Sequence, residues 1–255
     1  MTIFYFTATG NDLYIAKALG GKLYSIPKVL KGDKFEFSDD SIGIVYPCYY
    51  LGTPKIVVDF LKTIKLKSDY IFAVMSNGGT PGDGTGHFCR VAAKYGIKIS
   101  YSNVLLMPDN YLPLDDMQEV IAGIPGMKIA ENLGAIIADI KARKVGQRKA
   151  KLLERLATIG AQFYFKLTFS KLDKSFSVDF ACNGCCVCTK VCPVNNIKVD
   201  KTPQFLHHCQ GCLACVHACP QTAIHMAKEK SPARYINPNV TLNEIIEAND
   251  AVKVK

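Results

Sequence analysis

The chain has 255 residues, 49% of them hydrophobic and 21% charged, with 31 Lys/Arg against 22 Asp/Glu. That length allows one large domain or two modest ones, and the composition excludes a globally disordered polymer. No uncharged apolar run approaches the ~20 residues of a membrane span.

Met1-Thr2-Ile3-Phe4-Tyr5-Phe6 carries neither the basic start nor the cleavage site of a secretory signal. The expectation is therefore a cytoplasmic protein. The first 145 residues alternate strand-like and helix-like patterns. Apolar runs predict strands at Ile3–Phe6, Lys22–Ile26, Ser41–Tyr46, Tyr70–Ser76 and Ile99–Met107. Helices are expected from Leu13 to Leu19 and over Pro54–Lys65, Gly86–Tyr95 and Lys128–Arg143. The strands read as continuous apolar runs, as a parallel sheet covered on both faces requires. Five of them predict a doubly wound α/β domain over residues 1–145, with its ligand at the carboxyl ends of the strands.

The charge is concentrated. Residues 141–174 hold ten Lys/Arg and two Asp/Glu, between two nearly neutral regions. Residues 146–174 read as a basic, helical linker. It is expected to dock an acidic redox partner or rest on an anionic membrane surface; no nucleic-acid motif accompanies it. A cysteine-rich block follows over 175–230. The tail, 231–255, predicts one short helix behind the capping box Thr241-Leu242-Asn243-Glu244.

Nine of the eleven cysteines lie between Cys182 and Cys219. Cys182, Cys185, Cys188 and Cys192 form a C-x2-C-x2-C-x3-C run before Pro193. Cys209, Cys212, Cys215 and Cys219 repeat it before Pro220. This is the bacterial ferredoxin spacing, in which the fourth cysteine ligates the other cluster. The crossed sets are then Cys182, Cys185, Cys188, Cys219 and Cys209, Cys212, Cys215, Cys192, each for one 4Fe–4S cluster. Zinc sites use paired CxxC elements with a longer spacer, and disulfides need an oxidising compartment. Cys186 belongs to neither set and is expected to pack. His207, His208 and His217 are expected at the surface or behind the ligands.

Three loops stand at predicted strand ends. Thr7-Ala8-Thr9-Gly10-Asn11-Asp12 opens a helix, where hydroxyls, amides and the helix dipole favour an anion. It lacks GK[ST] and GxGxxG, which excludes a triphosphate loop and a dinucleotide site. Pro47-Cys48-Tyr49-Tyr50-Leu51-Gly52 offers aromatics to a flat ring. Ser76-Asn77-Gly78-Gly79 lets backbone approach a ligand closely. Together the loops point to FMN. Cys48 and Cys89 are expected to pack.

These motifs carry a resemblance. Residues 1–145 resemble a flavodoxin, whose phosphate loop has the form T-x-T-G-x-T, and residues 175–230 resemble a two-cluster bacterial ferredoxin. The whole chain, with the Asn237-Pro238-Asn239-Val240-Thr241 tail, is similar to the flavodoxin–ferredoxin fusion proteins of anaerobes. The resemblance implies phosphate contacts from Thr7, Thr9, Gly10 and Asn11, and ring contacts from Tyr49 or Tyr50 and Asn77–Gly79; Asp12, Pro47, Gly52 and Ser76 complete the candidate cofactor-binding residues. Asp12 replaces the usual hydroxyl and is repulsive to a phosphate unless it turns away. The expected function is electron transfer between FMN and two clusters. The alternative is a flavin oxidoreductase acting on a quinone, with Tyr49, Tyr50 and Asp83 as its acid–base candidates.

Overall fold

The computed structural model describes residues 1–249, with the side chains of residues 169 and 170 left aside. The last six residues of the expected tail lie outside the described residues. In chain order the elements are β1 (Thr2–Tyr5), α1 (Asn11–Leu19), β2 (Lys22–Ser25), α2 (Ile26–Lys31), β3 (Glu36–Ser38) and β4 (Ser41–Pro47). There follow α3 (Lys55–Thr63), β5 (Lys65–Lys67), β6 (Tyr70–Asn77), α4 (Gly84–Lys94), β7 (Tyr101–Leu106), α5 (Met117–Gly123) and α6 (Ile129–Lys141). The second half holds β8 (Gly146–Gln147), α7 (Leu152–Thr168), β9 (Phe176–Val178), α8 (Val187–Lys190) and β10 (Ile197–Val199). It ends with β11 (Pro203–Phe205), α9 (Ala214–His217), β12 (Ile224–Met226) and α10 (Leu242–Asn249).

The main sheet is parallel throughout, in the order β2-β1-β4-β6-β7-β8. Counted within the sheet this is 2-1-3-4-5-6, the flavodoxin-like doubly wound order with one added strand. The expected five-stranded sheet is thus corrected to six. Gly146-Gln147, assigned from sequence to a helical linker, pairs with Tyr101 and Ser102. Two residues without an apolar run give no strand signal. A small parallel pair, β3 with β5, was likewise not foreseen.

Seven of the eight residues of β6 are buried, so both sheet faces are covered, as its unbroken apolar run requires. Phe60 of α3 meets Phe4 of β1 with ring centroids 5.0 Å apart. Phe88 of α4 stacks on Tyr46 of β4 at 4.5 Å. Leu133, Ile136 and Ile140 bury the inner face of α6. Among the described residues no single helix is long and apolar enough to cross a membrane. Residues 117–127 and 129–141 pass that test only as a pair bent by 55°, and α6 packs one face on the core with the other exposed.

The cysteine block is a structural as well as a sequence repeat. Shifting β9, α8 and β10 by 27 positions gives the ranges of β11, α9 and β12. The left-handed backbone at Gly184, Cys186 and Asn195 recurs at Gly211, Leu213 and Thr222. Strands pair across the repeat: β10 with β11, and β12 with β9, both antiparallel. The tail is no appendage. Asn237 N donates to Thr9 O at 2.8 Å, and Asn249 Nδ2 donates to Thr7 O at 3.1 Å. It returns to the first loop of the molecule, where Val240 and Asn237 close over Gly10.

Candidate functional site

Three cavities carry the chemistry-bearing residues. The first lies at the carboxyl ends of β1, β4, β6 and β7, beside the point where strand order reverses. It encloses about 1040 Å3, counting its open mouth. Thr9, Asn11, Asp12, Pro47, Tyr49, Tyr50, Ser76, Asn77, Gly78 and Gly79 all stand on its wall. The structure therefore gathers ten of the thirteen residues singled out there from sequence.

Thr7, Gly10 and Gly52 do not line it. Thr7 is buried behind the loop, where its Oγ1 accepts from Gly10 N at 3.1 Å. A Cβ on Gly52 would lie 2.6 Å from Gln162, so its role is clearance for that side chain. Asn11 lines the wall but has its amide engaged. Its Nδ2 donates to Pro108 O at 3.0 Å, and its Oδ1 accepts from Tyr235 Oη and Asn237 Nδ2 at 2.8 and 3.0 Å.

Asp12 does not turn away. It lies buried on the wall, accepting from Ser76 Oγ at 2.8 Å. Burial pushes its carboxyl up to about 7, against the opposing effect of the Ser76 bond. The Asp12 side chain is thus close to half neutral at pH 7, which blunts its repulsion of an anion.

The aromatic loop is a strained turn. Tyr49 and Gly52 bridge one another, and Tyr50 and Leu51 between them both have left-handed backbone, with φ of 48° and 60°. Asn-Gly suits such a turn; Tyr-Leu costs about 1–3 kcal/mol per residue. The inner face of α7 holds it. Gln162 Nε2 donates to Tyr49 O and Tyr50 O at 2.7 and 2.9 Å. Thr158 Oγ1 donates to Leu51 O at 3.2 Å and accepts from Asp83 N at 2.9 Å. Phe165 stacks on Tyr50 at 4.9 Å. Replacing the buried Thr158 by Val strands one donor and one acceptor. The expected cost is about 1–3 kcal/mol, read as a lower urea midpoint.

Sequence reasoning missed the loop after β7, although it too ends a strand. Pro108, Asp109, Asn110 and Tyr111 join the wall, as does Gly211 of the cysteine block. Asp83 is absent from it. That carboxylate is buried elsewhere, paired with Arg90 at 2.8 Å. Cys48 is on the wall, with burial pushing its thiol up to about 12; Cys89 is half-buried on α4, away from the cavity.

The other two cavities lie in the cysteine block, about 320 Å3 each when the open space at their mouths is counted. Cys182, Cys185, Cys188 and Cys219 line one; Cys192, Cys209, Cys212 and Cys215 line the other. These are the two crossed sets. Burial pushes Cys188 and Cys209 up to about 12 and Cys215 higher, and neighbouring cysteines add to each shift. Backbone amides already point at sulfur. Asn196 N reaches Cys192 Sγ at 3.2 Å, and its repeat counterpart, Ala223 N, reaches Cys219 Sγ at 3.3 Å. Among the described residues no three His, Cys, Asp or Glu side chains form a single-ion site. The thiols surround a volume.

Cys186 borders the first of these cavities, its Sγ donating to Gly184 O at 3.3 Å. His207 pairs with buried Asp173, its Nδ1 at 2.9 Å, and His208 Nε2 donates to Val194 O. His217 is a buried strut: Nε2 donates to Asn110 O at 2.8 Å while Nδ1 accepts from Tyr235 N at 3.1 Å. Burial brings it down to about 4. It ties the cysteine block to the cavity loop and to the tail.

The large cavity and one thiol cavity adjoin. Gly211 walls the former, while Cys209 and Cys212 on either side of it face the latter. Tyr49 stands on the wall of the large cavity. Its hydroxyl is buried and has no hydrogen-bond partner among the described residues, and its ionisation is opposed by burial first, then by Cys212, Asp12 and Cys209.

No protein-family model and no curated protein matches the chain. Among solved structures it is similar to a flavoprotein in complex with FMN from Lactobacillus acidophilus NCFM. Identity there is 14%, over 40% of this chain and 91% of that one, with a TM-score of 0.30. A candidate flavoprotein from Bacteroides eggerthii is 16% identical over 50% of this chain and 97% of that one, TM-score 0.33. One from Bacteroides uniformis is 16% identical over 49% and 97%, TM-score 0.31.

Proposed function

We propose that the chain is an electron-transfer protein that holds FMN in the large cavity and a 4Fe–4S cluster in each thiol cavity. The single observation that carries this reading is the shared wall. Gly211 lines the large cavity while its neighbours Cys209 and Cys212 line a thiol cavity. A flavin exchanges electrons in pairs or singly, and a cluster passes one at a time.

The residues fit these groups. Aromatic and glycine walls suit a flat ring, and the Tyr49 hydroxyl is a buried donor without a hydrogen-bond partner among the described residues. Four thiols around each cavity, some already receiving backbone amides, match the donor set of a cubane. The strained Tyr50-Leu51 turn, held by α7, orients the aromatic wall. Cys185 is the exposed thiol among the eight, so the cavity it lines is the docking point for an external redox partner.

Reductive titration under argon tests this. FMN with two clusters takes about four electrons per chain, with bleaching at both flavin and iron–sulfur wavelengths. Uptake of two electrons, with flavin bleaching alone, would leave the cysteine block without its proposed role.

A further inference from the structure

The outer face of α7 is apolar. Leu152, Leu156, Ile159, Phe163 and Leu167 follow one another at spacings of three and four residues, a stripe along one side of the helix. They are 56 to 70% exposed, and Leu153 and Tyr164 widen the stripe at 79 and 58%. The opposite side is the one the molecule uses: Thr158 and Phe165 are buried, and Gln162 grips the strained turn. A surface helix ordinarily turns its apolar side inward. Here it is turned out.

The charges around the stripe say what it fits. Lys149, Lys151, Arg155 and Lys166 are exposed beside it. The two acids of residues 141–174 are both engaged within the chain: Glu154 with Arg148, and Asp173, fully buried, with His207. A second copy would bring a like-charged segment against this one. The stripe is also convex, a row of side chains on a single helix that suits a continuous apolar slab. Apolar side chains rimmed by Lys and Arg are the composition of a helix lying in a lipid interface.

We propose that α7 seats the protein on an anionic membrane surface, lying in the plane of the headgroups without crossing them. Its stripe enters the acyl boundary while Lys149, Lys151 and Lys166 meet anionic headgroups; Arg155 is already paired with Asp83 at 3.8 Å. The same helix would then carry the Tyr49–Gly52 turn, and with it the mouth of the large cavity, to the lipid.

Co-sedimentation of the full chain with vesicles tests this, comparing pure phosphatidylcholine with phosphatidylcholine containing phosphatidylglycerol. The protein is expected to pellet with the anionic vesicles and to stay in solution with the neutral ones. Ile159→Ser with Phe163→Ser, both at exposed positions, should lower partitioning on the order of 100-fold. Neutralising Lys149, Lys151 and Lys166 to Gln should lower it on the order of fivefold per charge. Circular dichroism confirms that each variant is folded. Equal binding by the I159S/F163S variant overturns the proposal. So does absence of anionic-vesicle binding at low salt, whether the chain then runs as a dimer or binds polyglutamate instead.

Discussion

Replacing Cys212 by Ala is expected to halve the iron content and to weaken FMN binding at least tenfold, whereas Cys185→Ala halves the iron and leaves FMN in place. The asymmetry follows from where the two thiol sets sit. Cys212 is buried beside Gly211, which walls the large cavity, and Gln210 Oε1 accepts from Ile56 N at the start of α3 at 3.1 Å. A cluster proposed on Cys192, Cys209, Cys212 and Cys215 would thus organise a loop that is also part of the wall of the large cavity. No residue of the other set lines that cavity. Metal ligation and local folding are one free energy in such sites, so losing a ligand releases the loop it fixed. Iron assay and fluorescence titration with FMN read the two quantities separately. Equal FMN loss in both variants would mean that the second thiol cavity is not the one coupled to the flavin.

Asp12→Asn is expected to tighten FMN binding at pH 8 by about tenfold and to remove most of its pH dependence. Burial holds the Asp12 carboxyl near 7. Its neutral form therefore prevails below that pH and is lost above it. If FMN phosphate favours the neutral form, affinity falls up to tenfold per pH unit above 7. Stability has the same sign. A carboxyl raised in the folded state contributes stability that is complete below its unfolded value and lost as pH rises through about 7. The span from about 3.9 to about 7 amounts to about 4 kcal/mol. The Asn variant should therefore gain most over the parent at pH 8, about a third as much at pH 5, and nothing below about pH 3.9. Urea midpoints and FMN titrations at both values check this. An FMN affinity in the parent that is flat from pH 6 to 8.5 would place the phosphate away from Asp12.

Much of the site was legible because its chemistry imposes spacing. Thiols that share a cavity must recur at fixed intervals, and the 27-residue repeat in sequence reappears as paired strands and matching left-handed residues. The loops at strand ends were legible from topology, since β1, β4 and β6 are unbroken apolar runs. What stayed hidden depends on side chains meeting across long separations. The return of Tyr235, Asn237 and Asn249 to the first loop rests on amide and hydroxyl bonds without periodicity. Gly52 read as a ligand contact because the Gln162 it clears lies 110 residues on. The reading of residues 146–174 as a basic, helical linker did not say which face of the helix the core would take. The polar face won it, because Thr158 and Gln162 satisfy the carbonyls of a strained turn.

The central claim is that one chain brings a flavin and two clusters together, and its most direct test is composition. Protein purified under argon should contain one FMN, about eight irons and about eight acid-labile sulfides per chain. Iron and sulfide without flavin, or a few tightly bound zinc ions in their place, would contradict it.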